Sequence, residues 1–480
     1  MKNTMLFLAL FLGTAFIRLS AQVPEIPLPE HPRPDFERAQ WINLNGTWNF
    51  NFDSLDMGVD QEWFEKPIFT EMITVPFPWG SKLSGVQDMA DIGWYSRRLD
   101  IPDRWEGNRI FLVIGACDWL STLWIDGDYV GTHAGGYTPF EFDLTDHVSP
   151  GQSHQLVLRV DDSPHSFKLE GKQGYGEAKG IWQTVYLESR GSISLSQLHF
   201  TPDIDKGLVR VHATLDQPAS DALYINLSFP NKEIQGMVTS PRIEKKQQEI
   251  EFEVQVPDPQ LWDLENPYLY QVKAALHDNE SVFDELSSYF GMRKISIMDL
   301  PGSRIPYVAL NNKPIYLQMS LDQAYHPDGF YTYPSDAFMR DEIIRSKKIG
   351  LNGNRIHIKV EVPRKLYWAD KLGLLIMADV PNFWGEPGDT ARSEWEYAMR
   401  EMIQRDYNHP SIFSWVLFNE TWGLFTGTGK DRAYLPETQD WVRDMYHEAK
   451  DLDPSRLIED NSPCNYDHVV TDLNTWHAYL

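Results

Sequence analysis

The segment Ile412-Phe413-Ser414-Trp415-Val416-Leu417-Phe418-Asn419-Glu420-Thr421-Trp422 decides the fold. Its first seven residues predict a short apolar strand, and that strand ends on an amide and a carboxylate. Upstream, 315–319 reads as a buried strand. Ser335 then caps a helix whose Met339, Ile343 and Ile344 share a face and which stops at Gly350. Strand 353–358, helix 364–372, strand 374–379 and helix 394–406 follow. Beyond the central strand come helix 437–450, strand 456–459 and a sixth strand over 470–477. Strands that alternate with crossover helices make either a doubly wound sheet or a (β/α) barrel. No GxGxxG follows the first strand, which favours the barrel. A closed barrel takes eight strands and about 250 residues. The partial TIM barrel expected over 293–480 therefore holds about six of the eight strands, and the chain is expected to stop before the barrel closes.

The chain before the barrel has a different period. Residues 41–188 show short alternating segments, among them 109–114, 122–125 and 155–160, broken by Gly and Asn turns, the pattern of a β-sandwich. A second alternating stretch over about 192–290, with strands at 208–213, 223–229, 249–254 and 268–276, fits a smaller immunoglobulin-like sandwich. The expected domains are 22–190, a jelly-roll-like sandwich, then 191–292 and 293–480. Residues 1–21 read as a signal peptide: Lys2, an apolar run over 5–17, and small residues before Gln22. The run is shorter than the roughly 20 residues that span a bilayer, and no cysteine follows it to accept a lipid, so the expectation is a periplasmic or secreted protein without a membrane anchor.

Composition narrows the function. Apolar residues at 42% and charged residues at 23% are ordinary globular values. The net charge of -26 repels polyphosphate backbones, which argues against nucleic acid as a partner. The 17 Trp and 21 Tyr supply flat amphipathic rings that suit sugar faces as well as cores. Cys117 and Cys464 match neither a disulfide framework nor a metal-ligand spacing and read as free thiols.

Active sites of barrel enzymes sit at the C-terminal ends of the strands, which makes Glu420 the first catalytic candidate. Beside Phe418 and Trp422 its charged form is disfavoured, as a general acid requires, and Asn419 can donate to a sugar hydroxyl. An isolated Asn-Glu pair more often marks an exposed loop; here the strand and the flanking Trp residues carry the reading.

The whole chain resembles glycoside hydrolase family 2, the family of β-galactosidases, β-glucuronidases and β-mannosidases. In the first zone the matching residues are Leu44-Asn45-Gly46-Thr47-Trp48, Val75-Pro76, Gly93-Trp94-Tyr95-Ser96-Arg97, Trp124-Ile125-Asp126-Gly127, 133–140 and Gly180-Ile181-Trp182. Later come Phe290-Gly291-Met292-Arg293, 310–315, Asn352-Gly353-Asn354-Arg355 and His409-Pro410-Ser411-Ile412 through Asn419-Glu420. The resemblance implies a retaining exo-acting β-glycosidase. Glu420 is then the acid/base, Asn419 contacts the 2-hydroxyl, Arg355 orients the carboxylates and His477 lies at the sugar subsite. Trp476 and Tyr479 belong to the strand-six motif 472–479. His357, where the family often has Ser-His-Tyr-Pro, and Asp379, Trp384 and Trp422 complete the expected substrate site.

Retaining hydrolysis needs a second carboxylate about 5 to 5.5 Å from the first. In the family it ends strand seven, so the nucleophile is expected beyond Leu480. Glu386, Glu459 and Asp460 lie away from that position. The resemblance favours β-galactosidase ahead of β-glucuronidase or β-mannosidase. The competing class is a non-catalytic carbohydrate-binding protein. No metal or other cofactor is expected, and a homo-oligomer is among the family's common states.

Overall fold

The computed structural model describes residues 26–67, 69–171, 173–231, 234 and 236–478; residues 1–21, read as a leader, and Tyr479 lie outside them. The first sandwich packs a four-stranded antiparallel sheet, Trp41–Asn43, Val185–Arg190, Arg109–Ile114 and Phe140–Asp143, against a six-stranded one. Trp48, Trp79, Trp105 and Tyr95, all fully buried, fill the space between them with Leu112, Ile114 and Leu158. The second sandwich has seven strands in sheets of three and four, the immunoglobulin-like count. Glu249–Gln255 shows its logic most plainly, because charged residues face water while Ile250, Phe252 and Val254 face the core.

The barrel domain is a parallel sheet in the order β1 (Met319–Asp322), β2 (Gly353–Ile356), β3 (Leu375–Asp379), β4 (Ile412–Asn419), β5 (Leu457–Ser462). The crossovers are α1 (Asp336–Lys348), α2 (Pro363–Leu372), α3 (Asp389–Asp406) and α4 (Pro436–Leu452). Ser335 caps α1, its side chain accepting from the Phe338 N–H, and Gly373 closes α2 in the left-handed conformation that a Cβ disfavours. Every residue of β4 and β5 is buried, as a strand covered on both faces requires.

Two strand expectations shift. The first parallel strand starts at Met319, because Lys313–Pro314 is held in an antiparallel sheet with Pro306–Leu310 and the Ile315 N–H donates to Val308 O. The sixth strand expected over 470–477 is a loop. It runs beside β5 and Asp472 N donates to Ile458 O, but the neighbouring bonds go to side chains: Asp460 accepts from Val469 N and Val470 N, and Asp472 Oδ2 accepts from Ile458 N of β5. Among the described residues the parallel sheet therefore has five strands.

Two of the quoted motifs are one contact. A Cβ on Gly291 would lie 2.8 Å from Pro410 Cβ, so only glycine lets the second sandwich reach the turn before β4. Arg293 follows and donates to Pro410 O, Ile412 O and Ser455 O, capping the starts of β4 and β5. The first sandwich meets the other end of the barrel. Glu170 N donates to Asn382 O, the Trp384 indole N–H donates to Gly171 O, and Thr332 Oγ1 donates to Trp182 O.

Candidate active site

At the end of β4 the chain turns sharply, with Glu420 at φ 52° and Thr421 at φ 64°, both left-handed and neither glycine. Such residues cost of order 1–3 kcal/mol each and persist only where the surroundings overdetermine them. Here every neighbouring backbone amide is held: Asn419 N donates to Asn382 Oδ1, Glu420 N to Ser462 O, and Thr421 N to Asn461 Oδ1. The turn lifts the Glu420 carboxyl clear of the sheet, and its Oε1 lies 2.6 Å from His477 Nδ1.

Beneath it sits Arg355 from β2, 8% exposed. Its Nε and Nη2 donate to the Asp379 carboxylate at 3.0 and 2.8 Å, Nη2 also reaches Asn419 Oδ1 at 3.0 Å, and Nη1 donates to Ser462 Oγ at 2.8 Å and lies 3.0 Å from His477 Nε2. Burial pushes the Asp379 carboxyl up, but the Arg355 guanidinium and the His357 hydrogen bond outweigh it and hold it below the ordinary carboxylate value. Burial likewise lowers Arg355, and Asp379 more than restores it. His357 Nδ1 is 3.0 Å from Asp379 Oδ2, and Ile358, at φ 45°, donates its N–H to the same oxygen. Asn419 is 1% exposed, and its Nδ2 has no partner among the described residues, a donor left over once Oδ1 is taken by Arg355. Trp384 and Trp422 stack at 4.8 Å and 26° beside this cluster in the chain, with Trp384 54% exposed, a flat face of the kind sugars stack on.

The structure thus gathers Glu420, Asn419, Arg355, Asp379, His357 and His477, with the Trp384–Trp422 pair on the neighbouring loops. Trp476 faces the other way, its indole N–H bonded to Asn474 and its ring edge-on to His468, because side chains alternate along the extended segment. Glu386 is exposed and accepts from Gly427 N. Asp460 is spent on His468 and the loop backbone. Asn382, Asn461, Ser462 and Thr475 belong to the site although the sequence reading passed over them. The signal was Glu459-Asp460-Asn461-Ser462, four polar residues closing a predicted barrel strand, and all four are buried. Among the described residues no three His, Cys, Asp or Glu side chains are gathered as metal ligands, and no helix is long and apolar enough to cross a membrane.

Comparison with known proteins agrees with this architecture. Residues 42–190 match the sugar binding domain of glycosyl hydrolases family 2, 193–293 the domain that carries the name glycosyl hydrolases family 2 alone, and 307–476 the family's TIM barrel domain. The chain belongs to glycosyl hydrolases family 2. Among its relatives are a β-galactosidase of Leuconostoc mesenteroides, 26% identical over 87% of this chain and 42% of that protein, and a β-glucuronidase of Bacteroides fragilis, 25% identical over 92% and 64%. The chain spans about half the length of several of the curated relatives it matches. A β-glucuronidase structure from Ruminococcus gnavus in complex with D-glucuronic acid superposes with a TM-score of 0.73 at 21% identity, covering 90% of this chain and 74% of that one, a likeness of fold.

Proposed function

We propose that the protein is a retaining exo-acting β-glycoside hydrolase in which Glu420 is the acid/base. The observation that carries this is the placement of a carboxyl by a strained, fully hydrogen-bonded turn at the C-terminal end of a barrel strand, within 2.6 Å of His477. In the first step Glu420 protonates the glycosidic oxygen, and in the second its carboxylate takes a proton from the attacking water. Asn419 offers its unpartnered Nδ2 to the 2-hydroxyl, Arg355 fixes Asn419 and His477 relative to Glu420, and Trp384 with Trp422 supports the leaving group. Asp379 and Glu459 are taken up in the buried network, so neither is assigned the nucleophile's role.

β-Galactosides and β-glucuronides are the two substrate classes of this reading, since enzymes named for each stand among the relatives. The apolar leader read from the sequence adds export to the periplasm or medium. The test compares Glu420→Gln with the parent on aryl glycosides of rising leaving-group pKa. Loss of activity should be steep for poor leaving groups and slight for activated ones, which need little proton donation. Equal losses across the series would remove Glu420 from the acid/base role.

A further inference from the structure

A line of hydrogen-bonded groups leads from Glu420 to a second, fully buried carboxyl on β5. Glu420 Oε1 lies 2.6 Å from His477 Nδ1; His477 Nε2 is 3.1 Å from Ser462 Oγ; Ser462 Oγ is 3.1 Å from Thr475 Oγ1; and the Thr475 hydroxyl meets Glu459 Oε1. Glu459 is 0% exposed and its other oxygen, Oε2, has no partner among the described residues. We infer that Glu459 is a proton store for Glu420, a positioning residue that supplies and takes back the catalytic proton through Thr475, Ser462 and His477. The inference rests on the acid/base reading of Glu420.

The proton count closes. With the proton on Glu459, its O–H donates to Thr475, the Thr475 hydroxyl to Ser462, the Ser462 hydroxyl to His477 Nε2, and His477 Nδ1–H to the Glu420 carboxylate. Shifting each proton one place breaks the Glu459 O–H and forms one on Glu420. Thr475 then donates to Glu459, Ser462 to Thr475, and His477 donates through Nε2 to Ser462. Each intermediate group keeps one proton, and His477 changes tautomer without becoming a cation. At the His477 end the geometry matches the first arrangement, because Arg355 Nη1, a pure donor, lies 3.0 Å from His477 Nε2, which must then accept; at the Glu459 end the Thr475 hydroxyl donates to the carboxylate, as in the second, so the line holds one end of each arrangement.

The surroundings of Glu459 make it a workable store. Burial is the largest influence and raises its carboxyl to about 7, against Arg355 on β2, the Thr475 hydrogen bond and His468 on the following loop, which pull it down, while Asp379 on β3 pushes it up. A group that titrates near neutrality holds a proton in the free protein and releases it when substrate covers Glu420 and raises that carboxyl in turn.

The experiment uses the active full-length enzyme with Glu459→Gln and with Thr475→Val, and with Thr475→Ser as the conservative rescue. On poor-leaving-group glycosides kcat should fall about 10-fold to 100-fold in the first two, part of the 10²–10⁴ that general acid catalysis supplies. Activated substrates should lose little. The alkaline limb of kcat should move to lower pH by about one unit, and Thr475→Ser should restore both. In the ¹⁵N spectrum of labelled histidine, the balance between the Nδ1–H and Nε2–H tautomers of His477 should change with pH in the parent and stay fixed in Glu459→Gln and Thr475→Val. An unmoved alkaline limb with an unchanged leaving-group profile overturns the store. So does a tautomer change at His477 that survives Glu459→Gln. If Glu420→Gln itself fails to separate leaving groups, the acid/base reading falls, and the His477 tautomer balance still decides whether Glu459 and His477 share a proton.

Discussion

Replacing Glu459 by Gln should make the protein more stable at pH 8 and leave it nearly unchanged at pH 5. The carboxyl rises from its ordinary 4.5 to about 7 on folding, with burial as the main cause. A raised acid binds its proton more tightly when folded, so its contribution to stability is greatest below 4.5, falls as pH climbs from 4.5 to about 7, and is fully lost above that. At about 1.4 kcal/mol per unit, the ionised, buried Glu459 costs about 3 kcal/mol at pH 8. Glutamine keeps an acceptor for the Thr475 hydroxyl and removes the charge. The expected gain is therefore about 2–3 kcal/mol at pH 8, after allowing for a poorer hydrogen bond, and below about 1 kcal/mol at pH 5. Guanidinium unfolding followed by tryptophan fluorescence at the two pH values measures the difference, which is insensitive to errors common to both. A variant equally or less stable than the parent at pH 8 would refute the reasoning, because it would mean that Arg355 already compensates the charge.

Two further perturbations probe the scaffold. Gly291→Ala should cost about 1–3 kcal/mol, the range for an overpacked contact, since its Cβ would meet Pro410 Cβ at 2.8 Å. Thermal denaturation checks the loss, and Pro410→Gly in the same chain should recover part of it. Asn382→Ala leaves the Asn419 N–H unsatisfied and should destabilise by about 1–3 kcal/mol while lowering kcat more than it changes KM, because it loosens the turn that aims Glu420. Steady-state kinetics beside a denaturant titration separates the two effects.

Much of this was legible in the sequence for local reasons. The amide and carboxylate at 419 and 420 stood at the end of a short strand that is apolar but for Ser414, and Ser335 announced α1 by its capping chemistry. The family motifs located Arg355 and His477 without explaining them. The structure supplies the reason, which is that Arg355 bridges Asp379, Asn419, Ser462 and His477 at once. Asn382 and Thr475 were not legible, and Ser462 only as one of the polar residues that close β5. Each is a common polar residue with no periodic partner, and its role exists only after three strands and a loop converge. The segment 470–477 misled because it runs extended beside β5 without forming a ladder: Asp472 N donates to Ile458 O and His477 N to Pro463 O, while Val470 N and Leu473 N are taken by the Asp460 and Thr471 side chains. Successive side chains of this extended segment point opposite ways, which turns His477 toward Glu420 and Trp476 away from it.

Asn382 has two jobs on two domains. Its carbonyl accepts the backbone of Glu170 from the first sandwich, while its side chain holds the amide of Asn419 on the barrel strand that carries Glu420. The first sandwich is thus joined through this residue to the turn that carries Glu420. For anyone building chimaeras, the unit of exchange is the sandwich together with the β3–α3 loop of the barrel it was shaped against. A graft that takes one without the other can fold and still misaim its carboxyl.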